Sequence, residues 1–194
     1  MSERQDMNET TPKQQQILQA AWDVFFQYGY RRTSMADIAK AAGLSRPALY
    51  LEFANKEAIF RALVSAGLDE SLVLMKDILA GEGSAGAKLE TAIDRTVIEH
   101  HRVLDSSPHG HEVFDLKNDM AKDLMELWKA DLEKILLDFF RSHAASTKDA
   151  SDLATLAINS IMGPKSQEKP AEELALQARS ICRSLDSILQ SKQG

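Results

Sequence analysis

Four of the five histidines, His100, His101, His109 and His111, fall within one short stretch that also holds Glu112 and Asp115. Imidazole and carboxylate together form a donor set for transition metals, and a wet histidine cluster titrates near neutral pH. The spacing argues against a metal. His100 and His101 are adjacent, so on a helix they project about 100° apart. Neither H-x3-H nor H-E-x-x-H occurs in the chain. The first reading is therefore ordinary surface or core histidine, and the second is the polar lining of a ligand pocket. Nucleophilic chemistry finds less support. The chain has no G-x-S-x-G and no phosphate-cradling glycine loop, and its single cysteine, Cys182, lies on an apolar row away from histidine. With 29 Asp and Glu, carboxylate pairs arise by chance on any helical surface. The expectation is a protein that is not an enzyme, with no cofactor and no metal.

A different chemistry is carried by Thr33–Phe60, TSMADIAKAAGLSRPALYLEFANKEAIF. Ile38, Ala39 and Ala42 give a short helix an apolar face, with Ser34 as N-cap and Asp37 in the first turn. Gly43 suits the positive φ of a sharp helix–helix turn. Ser45 caps a second helix with Pro47 in its first turn, and Leu49 and Phe53 return to the same core. The second helix then presents Ser45, Arg46, Pro47, Ala48 and Tyr50 outward, a set suited to a DNA major groove. Arg46 can fork onto guanine O6 and N7. Lys56, at the start of the next helix, adds an ammonium where the helix dipole already favours an anion.

This stretch resembles the TetR (tetracycline-repressor-like) family of regulators. Thr33, Ile38, Ala39, Ala42, Gly43, Leu44, Ser45, Leu49, Tyr50, Phe53, Asn55, Lys56, Glu57 and Ile59 stand in register with the family's pattern, and Ile17, Ala21, Phe25, Gly29 and Tyr30 match its first helix. The resemblance covers about residues 13–64. It implies that Ser45, Arg46 and Ala48 approach base edges while Thr33, Tyr50 and Lys56 hold phosphates, with Ser34 and Pro47 at the same surface. It also implies a homodimer, a palindromic double-stranded DNA operator and a small-molecule effector that releases it, hence a repressor. A structural DNA-associated dimer without an effector and a ligand-responsive activator are the alternatives. Glu52 departs from the pattern as an acid beside the expected DNA face.

Charge is distributed as such a protein requires. The net charge is −6, yet residues 10–64 hold seven Lys/Arg against four Asp/Glu, a net of +3, and residues 65–194 carry −7. A mildly basic head on an acidic body fits DNA contact at one end. No apolar run approaches a membrane span, the start lacks the apolar core of a signal peptide, and one cysteine forms no intrachain disulfide, so the expected compartment is the cytoplasm.

The remaining elements must position that head. Hydrophobic content of 44% with 6% aromatics, 5 Pro and 9 Gly favours helix over sheet. The expectation is an all-α chain of about nine helices: a tail over 1–11, a three-helix DNA-binding head over 12–60, and a ligand-binding and dimerisation body over 61–194. A long helix from Asn55 to about Leu79 joins them. Residues 81–87 and 142–151 read as connections, and 105–118, rich in Ser, Pro, Gly and His, as poorly suited to a rigid helix, with one or two helical turns over His109–Leu116. An effector pocket is expected within 88–140, with Thr96, His100, His109, Met125 and Trp128 as candidates. The last helix carries Leu174, Ala178, Ile181, Leu185 and Ile188 at alternating spacings of four and three. With Ala154, Ala157 and Ile161 of the helix before Gly163-Pro164, it is the expected subunit interface.

Overall fold

The computed structural model describes residues 10–144, 146–162 and 170–191, and every regular element among them is a helix. In order these are α1 (Pro12–Tyr28), α2 (Met35–Ala41), α3 (Arg46–Glu52), α4 (Lys56–Ala80), α5 (Ala85–Ile93), α6 (Glu99–Ser106), α7 (Gly110–Met120), α8 (Lys122–Arg141), α9 (Thr147–Met162) and α10 (Ala171–Ser191). A π-helical stretch, Asp94–Ile98, joins α5 to α6 as one rod, which leaves nine rods among the described residues. The all-α fold is as expected. Most of the expected tail, and the Gly163-Pro164 stop with its charged loop, lie outside the described residues.

Local chemistry sets the boundaries of the first helices. Thr11 and Gln14 form a reciprocal capping box, with Pro12 at the first position of α1. Gly29 ends that helix at φ +84°, and Gly43 makes the α2–α3 turn at φ +65°. Ser34 and Ser45 accept the Asp37 and Ala48 amides and so cap α2 and α3. Asn55 does the same for the Ala58 amide at the start of α4.

Packing divides the chain into two units. The first unit runs up to Leu68 and adds Ser106–Met125; the second holds Asp69–Asp105 and the chain from Glu126 onward. The core of the first unit gathers Ile17, Ala21 and Phe25 of α1, Ile38 of α2, Leu49 of α3, and Ile59 and Phe60 of α4. Val113 of α7 and Ala121 join the same cluster, with Leu116, Met120 and Leu124 packed against it. Arg61 of α4 forks onto Asp123, with bonds of 2.9 and 2.6 Å, and also donates to the Met120 carbonyl. Residues 105–118 are thus helical from Gly110, because Val113, Leu116 and Met120 find an apolar partner in the head. Composition could not disclose that partner.

In the second unit α10 lies against α5, the π stretch and α9. Asp186 accepts the Gly86 amide at 2.8 Å, and a Cβ on Gly86 would stand 2.4 Å from the Asp186 Cβ, so only glycine admits this contact. Near the start of α10, Asp105 accepts the Ala171 amide at 2.9 Å, and Arg102 bridges Asp94, Glu99 and Glu172 at 3.2, 3.0 and 2.9 Å. The row expected at the subunit interface is partly consumed here. Ala154, Ala157, Leu174 and Leu185 are all buried within the single chain, Ala178 and Ile181 are half-buried, and Ile188 is exposed. Of Ile161 only the backbone is described. A four-three row demands a helical partner but does not say whether the same chain supplies it. Two expected connections are also shorter than read. Helix α5 begins at Ala85 under a Ser84 cap, and α9 begins at Thr147, where Ser146 accepts the Asp149 amide.

Candidate nucleic-acid interface

Helix α3 is short and its register is fixed by one residue. Leu49 is fully buried, which turns Arg46 and Pro47 to the outside and leaves Ala48 half-buried. Ser45, at the cap, is exposed, and Tyr50 is 52% exposed. Leu51 reaches 83%, an apolar side chain held out in water. Leu51 is not among the residues that the sequence places at the DNA face; its position two residues after the core Leu49, about 200° round the helix, is what turns it outward.

Glu52, the acid beside the expected DNA face, has a partner. Lys13 of α1 holds its carboxylate at 3.0 Å, which offsets the negative charge at the end of α3. Four cations, Arg31, Arg32, Lys40 and Arg46, are exposed on the α1–α2 turn, α2 and α3. Exposed cations of this kind are what a phosphate backbone attracts.

Three expected contact residues are engaged inside the head. Thr33 is 4% exposed and its hydroxyl donates to the Gly29 carbonyl at 2.7 Å. Ser34 is exposed, but its hydroxyl donates to Asp37 at 2.6 Å while accepting the Asp37 amide, a bond that holds the Asp37 carboxyl below its ordinary range. Lys56 donates to the Tyr30 and Thr33 carbonyls, both at 2.7 Å, and lies 4.2 Å over the Tyr30 ring. Burial pulls its ammonium pKa below the usual lysine value, against a smaller opposing pull from Glu112. Lys56 and Thr33 therefore fasten the α1–α2 turn. Their types were legible in the sequence, but their directions depend on carbonyls that only the folded turn brings together.

The residues expected around an effector are shared between the two units. His109 and Met125 belong to the first unit; Thr96, His100 and Trp128 belong to the second. Thr96 donates to the Ala92 carbonyl of its own helix at 2.7 Å, and the buried Trp128 donates its indole N–H to Ser71 at 2.8 Å. His109 stands 3.7 Å from Glu112 and packs over Gly29. Among the described residues no three His, Cys, Asp or Glu side chains are grouped to hold a metal ion, and no helix is long and apolar enough to cross a membrane.

Residues 17–63 match the model of the tetR family of bacterial regulatory proteins. The HTH-type transcriptional repressor ComR of Escherichia coli (strain K12) is 46% identical over 52 residues, which is 27% of this chain and only 25% of ComR. The HTH-type transcriptional regulator YvdT of Bacillus subtilis (strain 168), itself uncharacterized, is 28% identical over 137 residues, 70% of this chain and 71% of YvdT. A solved TetR-family regulator from Mesorhizobium loti has the same fold, with a TM-score of 0.69 and 18% identity over 93% of this chain and 98% of that one. The capped helices Met35–Ala41 and Arg46–Glu52 thus lie inside the stretch that matches the tetR family of bacterial regulatory proteins, in a chain whose fold is shared along nearly its whole length with a solved TetR-family regulator.

Proposed function

We propose that the chain is a DNA-binding transcriptional regulator, acting as a homodimeric repressor that leaves a palindromic operator when a small molecule binds its second unit. The observation that carries the DNA reading is α3, where Leu49 is fully buried and Arg46, Pro47, Tyr50 and Leu51 point outward. Buried leucine fixes the roll of the helix, and the roll fixes which side chains a groove would meet. The repressor sense is supported by the name of ComR, whose likeness extends over 52 residues. For the effector, the π-helical stretch Asp94–Ile98 supports the second unit, because such insertions recur at functional sites.

A second reading, a structural DNA-associated dimer with no effector, is favoured by one observation. The polar groups of Thr96 and Trp128 already have partners inside the fold, so neither requires a ligand. Selection from a random duplex library with the full chain tests the shared claim, and an inverted repeat should be enriched. Absence of any enriched sequence would remove the DNA reading. A screen for small molecules that release the recovered duplex then separates the repressor from the structural protein.

A further inference from the structure

We infer that Glu112 of α7 is a positioning residue for DNA binding, which holds the α1–α2 turn in place through the Arg31 amide. The inference rests on the DNA-binding reading above. Glu112 Oε1 accepts the Arg31 N–H at 2.9 Å across a wide gap in sequence. Its other oxygen fills the space over Gly29, where a Cβ would come within 2.6 Å of it and 3.2 Å of His109 Nδ1. Gly29 is thus required twice, by its φ of +84° and by this contact. Just before α7, the Ser107 hydroxyl donates to the Phe26 carbonyl at 2.8 Å and accepts the His109 amide at 3.2 Å. From α4, Lys56 takes the Tyr30 and Thr33 carbonyls.

Side chains from two sides therefore hold the irregular turn between α1 and α2, where no helical ladder can satisfy the backbone. That turn carries the exposed Arg31 and Arg32 and leads into Ser34, the cap of α2. Ordering it before binding removes part of the entropic cost of docking the cations and α2 on DNA. Glu112 lies beyond the matched residues 17–63, so the DNA-binding head is completed by a residue that the sequence resemblance does not include.

The test compares Glu112→Ala with Glu112→Gln in the full chain, on the duplex recovered by selection. Both variants lose the charge, but glutamine keeps an oxygen acceptor for the Arg31 amide, so their ratio isolates the hydrogen bond. Glu112→Ala should bind the duplex about three- to tenfold more weakly than Glu112→Gln, the range of one hydrogen bond. The two salt slopes should be equal. Exchange of the Arg31 amide should be fast in Glu112→Ala and slow in wild type and Glu112→Gln, a local signature that a general loss of stability does not produce. If Glu112→Ala fails to fold, Glu112→Met keeps the volume without the oxygen and carries the same expectation. Equal affinities for the acceptor-free variant and Glu112→Gln would overturn the inference. A wild type that selects no duplex would overturn it together with the DNA reading; a still-protected Arg31 amide would then locate the failure in the function and not in the clasp.

Discussion

The Lys56 ammonium sits between two carbonyls and above a tyrosine ring, so its charge serves the geometry of the head. Lys56→Ala should cost about 1.5–3 kcal/mol of stability by denaturant unfolding, the range for hydrogen bonds to a charged donor. The salt slope of DNA binding should barely change. Arg31→Ala or Arg32→Ala should instead leave stability nearly intact and reduce that slope by about one phosphate contact. The opposite pattern would return Lys56 to the phosphates. Arg46→Ala should relax preference at one base pair per half-site, at about 1–3 kcal/mol if its contact is bidentate; an unchanged selected sequence would exclude that role. Cys182 is fully buried, and burial pushes its thiol up to about 12. It should resist alkylation at neutral pH in the folded protein and react in denaturant. At this scale the sequence showed which types stand at which positions of the helix-turn-helix. Thr33 and Lys56 turn inward because of carbonyls in a turn whose shape no spacing rule reports.

Helix boundaries were legible wherever a cap specified them. Thr11, Ser34, Ser45 and Asn55 each accept an amide at the start of the helix that the sequence places after them. Helix α7 was legible only as one or two turns over His109–Leu116, because the rest of its stability comes from the head core and from the Arg61–Asp123 pair next to it. That pair makes a pH prediction. The Arg61 guanidinium holds the Asp123 carboxyl below its ordinary 3.8, so the unfolded chain takes up this proton more readily than the folded one. The contribution is complete above about pH 4 and is lost as pH falls through the depressed value. Asp123→Asn should therefore flatten the acid limb of the stability profile measured by denaturant titration, and an unaltered limb would exclude the pair as a source of acid sensitivity. The apolar row of α10 was visible too, but periodicity is blind to chain identity, and Leu174, Cys182 and Leu185 are buried within their own chain.

Over the whole molecule, the proposed homodimer has to use apolar surface that one chain leaves uncovered. Leu156 on α9 and Ile188 on α10 are 49% and 38% exposed, and the half-buried Ile181 lies on the same side of its helix as Ile188. Ile188→Glu or Leu156→Glu should give a folded monomer by light scattering, whereas Leu185→Glu should unfold the chain. Folded dimers of both surface variants would place the interface elsewhere. The charge distribution, basic over 10–64 and acidic beyond, was readable from the outset, and it agrees with DNA contact confined to the head. Equilibrium binding of the full chain to the selected duplex and to a scrambled duplex, followed over a salt series, tests the central claim most directly. The account predicts a preference of at least about 10³ for the selected duplex, with log affinity for both falling linearly with log salt. Equal affinity for the two duplexes, or binding indifferent to salt, would contradict it.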